Sequence, residues 1–290
     1  MIKEKVKYFN SVEAAEILGV NVSTIKRWTE SGKLKCIKTA GGHRKFLMEH
    51  LIDFVEHHKK KADQVSIFPI ESAKDVELSF HVVKRNYPYL IQYTLDNAFE
   101  GNRHNIQVVL NGLYLAQVPL HEMYDQLLSP VLVKVGELWA DGTMSISMEH
   151  LATQAIKDAI IQLQGILNIP SEKTGTALCL NMSGELHDIP LKMIDHILEV
   201  RGYKTLFTGQ ITPSLRLNEI FEKFHPERVY ISSTYIVEIE ETREELSRIC
   251  DLAMSFDAEV YTSGPGFLQL KPNHPAIKKH LNTFEEVALI

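Results

Sequence analysis

The chain has 290 residues, 44% hydrophobic and 23% charged, the make-up of an ordinary globular protein. No apolar run approaches the roughly 20 residues that span a bilayer, the opening MIKEKVKYFN lacks the apolar centre of a signal peptide, and Cys36, Cys179 and Cys250 are odd in number and far apart, which argues against a disulfide framework or a cysteine zinc site. The expectation is a cytoplasmic chain of two or three domains with reduced, buried thiols and no membrane partner.

Net charge is −6, yet residues 1–61 hold thirteen Lys/Arg and seven Asp/Glu, so this head is +6 and the remainder −12. A basic head on an acidic body points to a phosphate-binding module carried by something else. Within it, SVEAAEILG reads as a short helix capped by Ser11 and stopped by Gly19. NVSTIKRWTESGKL reads as a second helix, capped by Asn21 or Ser23. Two short helices joined by a tight turn form a helix-turn-helix. Ile25 and Trp28 face inward, and Ser23, Thr24, Lys26 and Arg27 form the polar side. TAGGHRKF then reads as a hairpin wing with His43, Arg44 and Lys45 near its tip, and MEHLIDFVEHHKKK as a third helix ending in cations, which suit a helix C-terminus. Residues 65–88 read as a linker that becomes the first helix of the next segment.

From about 74 to 169, four amphipathic stretches beginning YLIQY, NIQVV, PLHEM and ISMEH are split by short loops, the pattern of a four-helix bundle. From about 174 to 290, strand-like runs (TALCLNM, YKTLFTG, RVYISST, AEVYTSG) alternate with helix-like runs (PLKMIDHILEVRG, SLRLNEIFEKFH, EETREELSRICDLAMSF). That alternation predicts a Rossmann-like α/β domain with a parallel sheet. Ligands in such sheets bind beyond the carboxyl ends of the strands, where SGELHDIP, SST and SGPG all fall. No catalytic triad, paired-carboxylate site or P-loop is visible, and a non-enzyme is expected. His121, His196 and His225 belong to no motif, and surface positions are expected for them.

In SGELHDIP, His187 follows Glu185 by two residues. A neutral imidazole is a common metal ligand, and a nearby carboxylate can fix its tautomer. A protein-held zinc needs three or four ligands, and no second His or Cys is near in sequence. Any metal at His187 therefore arrives inside a cofactor that fills its other positions.

The head resembles the MerR family of winged-helix regulators, whose wings carry a GGHR-type sequence like Gly41–Arg44. The resemblance implies dimeric binding to double-stranded DNA, with Thr24, Lys26 and Arg27 at the major groove and Arg44 and Lys45 on phosphates. The strand–loop–helix around His187 resembles the cobalamin-binding domain, whose usual pattern is DxHxxG. This implies His187 as the lower axial ligand of cobalt, Glu185 as the acid behind it, and Ser232, Ser233, Thr234, Ser263 and Gly264 around the nucleotide tail. Pro190 stands where the family usually has glycine, a position that tolerates proline at the first turn of a helix.

Trp139 is followed after nine residues by Glu149 and His150. This spacing resembles the B12-dependent photoreceptor regulators of the CarH/LitR type, and the resemblance then covers nearly the whole chain, in that family's domain order. It implies a bundle that caps adenosylcobalamin, with Trp139 shielding its upper face and Glu149 on the ribose. It also implies a repressor that binds operator DNA as a dimer or tetramer in the dark and releases it in light. Members often have a histidine directly after the Trp; here it is Ala140, which leaves three alternatives after light: His150 as substitute, water as the upper ligand, or loss of cobalamin. Two alternatives stand beside this reading: a MerR-like regulator that senses cobalamin without light or acts without it, and a corrinoid-binding component of a methyltransferase.

Overall fold

A computed structural model describes residues 8–58, 72–210 and 216–290. The chain divides into two compact units, Met1–Pro119 with Pro130–Ala159, and Leu120–Ser129 with Ile160–Ile290. The expected head boundary at 65, the start of the linker and the cations after His58 lie outside the described residues.

The first unit opens with the helix-turn-helix. Helix α1 (Ser11–Ile17) is capped by Asn10, not Ser11. The Asn10 side chain accepts from Glu13 N and the Glu13 side chain accepts from Asn10 N, the reciprocal pair of a capping box. Helix α2 (Val22–Glu30) has Asn21 as its N-cap and buries Ile25 and Trp28. Strands β1 (Ile37–Lys38) and β2 (Arg44–Lys45) pair antiparallel as the wing, followed by α3 (Met48–His58). Trp28 packs on Phe54 with ring centroids 4.5 Å apart.

Helix α4 (Ala73–Val83) differs from the sequence reading in its allegiance. Its Val76 and Phe80 are buried in the same core as Phe9, Ile17, Ile25 and Phe46. Ser79 Oγ donates to the Ile17 carbonyl at 2.8 Å, and Lys84 pairs with Glu13. After Arg85, which takes a left-handed φ of 48°, the bundle continues as α5 (Tyr87–Phe99), α6 (Arg103–Leu115), α8 (Ser129–Ala140) and α9 (Ile146–Leu163).

The second unit contains α7 (Leu120–Met123), the π-helical turn Tyr124–Leu128 and a five-stranded sheet. The strands are β3 (Gly175–Asn181), β4 (Tyr203–Phe207), β5 (Arg228–Ser232), β6 (Glu259–Ser263) and β7 (Ile277–Leu281), all parallel, in the order β4-β3-β5-β6-β7. The inner strands β3, β5 and β6 are short, apolar and mostly buried, as a covered parallel sheet requires. Leu178, Leu180, Val229, Ile231 and Val260 form one core with α11 (Asn218–Phe224), α12 (Ile239–Ser255) and α13 (Gly266–Leu270). Helix α10 (Ile189–Val200) packs on β3, β4 and β5, with α14 (Phe284–Leu289) beside it. Strand β7 and helices α13 and α14 were not among the expected elements. Among the described residues no helix is long and apolar enough to cross a membrane.

Contrary to expectation, His196 is fully buried. Its Nδ1 lies 3.0 Å from the Tyr124 hydroxyl. Burial, reinforced by the nearby Lys192 charge, pushes its pKa down to about 3. Asp125 from the π-helical turn accepts from the backbone N–H groups of Phe284 (2.9 Å) and Glu285 (3.0 Å), in the first turn of α14. Cys179 and Cys250 are buried and Cys36 is half-buried, all three as free thiols.

Candidate corrinoid site and DNA-binding face

Strand order reverses between β3 and β5: the chain leaves β3 for β4 on one side and returns to β5 on the other. Such a switch point opens a crevice at the carboxyl ends of its two strands. The loops that meet there are Met182–Asp188 after β3 and Ser233–Glu238 after β5.

Glu185 joins the two loops. Its side chain is 2% exposed, while that of His187 is 59% exposed. Oε1 of Glu185 lies 2.5 Å from His187 Nδ1 and accepts from His187 N at 2.8 Å. Oε2 accepts from Thr234 N at 2.5 Å and Tyr235 N at 3.2 Å. Burial pushes the Glu185 carboxyl up, but the hydrogen bonds from the His187 ring, from its backbone and from Thr234 N outweigh burial and hold it below its ordinary value. The ionised carboxylate thus accepts a hydrogen bond from Nδ1–H, which makes Nε2 the unprotonated ring nitrogen. The sequence pattern alone could not show that the carboxylate is buried and the imidazole outward.

The loop is also pinned from behind. Ser183 N donates to Glu245 Oε2 at 3.1 Å, and Ser183 Oγ donates to Glu245 Oε1. Glu245, on α12, is 6% exposed. It escaped sequence reading because EETREEL looks like a solvated acidic face. Pro190 sits in the first turn of α10, whose N-cap is Asp188.

The SGPG loop packs on Ser233. A Cβ added to Gly264 would meet Ser233 O at 2.3 Å, and one added to Gly266 would meet Ser233 Oγ at 2.8 Å. Ser233 N donates to Ser263 O at 3.0 Å. So Ser233, Ser263 and Gly264 come together with Thr234 and Glu185. A cavity of about 340 Å³ lies alongside, lined by Ser183, Ser233, Tyr235 and Glu245 among others.

The fit to a cobalamin rests on the chemistry left over. Asn181 and Ser232 are register partners at the ends of β3 and β5. Both are fully buried, and neither the Asn181 amide nor the Ser232 hydroxyl has a hydrogen-bond partner. Each such group costs about 1–3 kcal/mol if left unpaired. Two polar groups at the switch point suit a ligand with hydrogen-bonding atoms that enters between the strands. Leu186, Tyr235 and Val237 are exposed around the opening, an apolar rim suited to a broad ring. Among the described residues no three His, Cys, Asp or Glu gather to hold a metal ion. The residues fit the group.

In the bundle, Trp139 is 50% exposed at the end of α8. Glu149 Oε2 lies 2.5 Å from His150 Nδ1, and its Oε1 accepts from Thr153 Oγ1 at 2.7 Å. His150 is 72% exposed. Ala140 closes α8 directly after Trp139.

On the head, Lys26, Arg27, His43 and Lys45 are exposed, and Thr24 is half-buried. The Lys45 ammonium stands 5.4 Å from the Tyr8 ring centroid. Arg44 turns inward onto Thr29 and Glu30 of α2.

Residues 8–59 match a family described as a helix-turn-helix domain, and residues 92–164, from α5 to the end of α9, match one described as a B12 binding domain. Over 250 residues the chain is 22% identical to the HTH-type transcriptional repressor CarH of Myxococcus xanthus, covering 81% of this chain and 82% of that protein. It is 24% identical over 153 residues to a methionine synthase of Mycobacterium tuberculosis, covering 51% of this chain and 13% of that one. Among solved structures, a monomethylamine corrinoid protein of Methanosarcina barkeri aligns with a TM-score of 0.55 at 14% identity, covering 70% of this chain and 96% of that chain, which shows a shared fold.

Fold and domains together define a class: a helix-turn-helix regulator carrying a B12-binding module. Within that class, the chain is similar in domain order and in the extent of the match to the CarH repressor.

Proposed function

We propose that the chain is an adenosylcobalamin-dependent, light-responsive repressor that binds operator DNA as an oligomer in the dark and releases it on illumination. The observation that carries this reading is an exposed imidazole held from behind by a buried carboxylate at the switch point, in a chain that also bears a basic helix-turn-helix head.

His187 would bind cobalt through Nε2. Glu185 fixes its tautomer and raises its basicity. Asn181 and Ser232 offer hydrogen-bonding partners to the nucleotide tail, beside Ser233, Thr234, Ser263 and Gly264. Trp139, Glu149 and His150 are the bundle's residues for the adenosyl side. When bound, adenosylcobalamin supplies a cobalt–carbon bond that green or blue light breaks. A dark oligomer presents several heads to one duplex and raises apparent affinity through effective concentration. Loss of that oligomer weakens DNA binding without any change in the base contacts. The switch requires only that the cofactor's dark form favour one of two states of the protein.

A second reading, a cobalamin sensor that does not respond to light, is favoured by Ala140 in place of the histidine after Trp139. The test is an absorbance spectrum of protein mixed with adenosylcobalamin in the dark, desalted and then illuminated with green light, beside His187→Ala. DNA binding and mass by light scattering are read on the same samples. Retained colour, a light-driven spectral change altered in the variant, and loss of DNA binding in light are expected. Retained colour with light-independent DNA binding selects the second reading. Colourless protein after desalting refutes both.

A further inference from the structure

The wing arginine invites comparison with its neighbours. Lys45 beside it is exposed, but Arg44 has only 18% of its side chain exposed. Its Nε donates to Thr29 Oγ1 at 2.8 Å and its Nη2 to Glu30 Oε1 at 3.1 Å. The Thr29 hydroxyl in turn donates to the Lys26 carbonyl at 2.8 Å. Each hydrogen has one acceptor and the roles do not conflict. Thr29 and Glu30 are the last two residues of α2, so the guanidinium sits at the negative end of that helix, where a cation is favoured. Strand β2 pairs with β1 through Ile37↔Lys45 and Lys38↔Arg44, and Phe46 bridges to Phe9.

We infer that Arg44 is a positioning residue for DNA binding: it locks the wing to the C-terminal end of the helix that carries Lys26 and Arg27, and Lys45 makes the wing's phosphate contact. The inference rests on the DNA-binding reading of the head. A planar guanidinium with forked donors suits this role, since it engages the hydroxyl and the carboxylate in one geometry.

The salt dependence of binding separates positioning from contact. Each phosphate contact contributes about 0.9 to the slope of log K against log [salt]. A residue that only orients the wing lowers affinity at every salt concentration and leaves the slope unchanged. The probe is a duplex selected from a random library by the full-length chain, titrated by fluorescence anisotropy from 50 to 300 mM KCl. Thr29→Val, which removes the Nε acceptor without changing charge, is expected to lower affinity about 3- to 10-fold with no change of slope. Arg44→Gln should do the same, and Lys45→Ala should reduce the slope by about 0.9. A slope reduced by about 0.9 in Arg44→Gln, or Thr29→Val binding as well as or better than wild type, overturns the inference and makes Arg44 a phosphate ligand. Arg44→Gln keeps the question decidable if Thr29→Val fails to fold. Failure of the wild-type chain to select any duplex would refute the DNA-binding reading instead.

Discussion

Gly264→Ala tests the corrinoid site from its far side. Gly264 has φ of +96°, and an added Cβ would lie 2.3 Å from Ser233 O and 2.9 Å from Ser233 C. Neither atom belongs to a flexible side chain, so backbone must move. The left-handed backbone costs a side chain about 1–2 kcal/mol, and forced displacement of packed atoms about 1–3 kcal/mol more. The sum, about 2–5 kcal/mol, lowers the melting temperature of a unit this size by roughly 5–15 °C. Gly184→Ala is the matched control: its φ is +83°, but no atom lies within 4 Å of the added Cβ, so only the backbone term of about 1–2 kcal/mol applies. The displacement has a functional reading too. Ser233 precedes Thr234 and Tyr235, whose N–H groups hold Glu185 Oε2. Pushing Ser233 loosens the carboxylate that orients His187. Calorimetric melting of the sheet unit and cobalamin retained after desalting are the assays. Equal melting temperatures for the two variants, or full cobalamin retention in Gly264→Ala, would refute the reasoning.

Glu185→Gln replaces a charge-assisted acceptor and should destabilise the sheet unit by about 2 kcal/mol. Because the folded-state pKa of Glu185 is lowered, its contribution is complete above the unfolded-state value and fades as pH falls through the folded one. Acid titration followed by circular dichroism should therefore show a shallower acid loss in the variant. His196 gives the opposite kind of group: its pKa falls from 6.5 to about 3 on burial. The unfolded chain takes up a proton between those values and the folded one does not, so stability falls as pH drops below about 6.5. Going from pH 7.5 to 5.5 should cost the wild type about 1.4 kcal/mol more than His196→Leu, read from urea midpoints; equal losses would remove His196 from the account. Asp125→Ala removes the acceptor of the Phe284 and Glu285 N–H groups of α14 and leaves its N-cap Thr283 in place; it should cost about 1 kcal/mol, seen as faster amide exchange at Phe284 and Glu285.

Strands β3 to β6 were legible because each is a short, largely apolar run between breakers. Strand β7 was not: Lys278 and Lys279 are exposed on an edge strand, and its IKKHL carries no apolar alternation. Asn10 and Ser11 are both good caps; Asn10 wins because Glu13 stands three residues after it and closes the box. His187 and its acid were legible because a strand–loop–helix frames them. The pairing of Asn181 with Ser232 depends on sheet register, which sequence leaves open. His196 was misread because α10 is buried almost all round, from Leu191 and from Met193 to Leu198, so helical periodicity gave it no polar face. Arg44 shows the same limit at the surface, since composition cannot tell a cation aimed at solvent from one folded back onto its own helix.

The packing of α4 redraws where the head ends. The helix-turn-helix match stops at residue 59, but Val76 and Phe80 complete the head's interior, with Phe80 5.0 Å from Phe9 between ring centroids. A fragment trimmed at that match would carry an uncovered apolar wall and fold poorly, if at all. The shortest autonomous head must run through Lys84, whose partner is Glu13 of α1. Only Lys84, Arg85 and Asn86 separate that helix from α5, so a torque on α5 is delivered to the head through a three-residue joint, as through a crank.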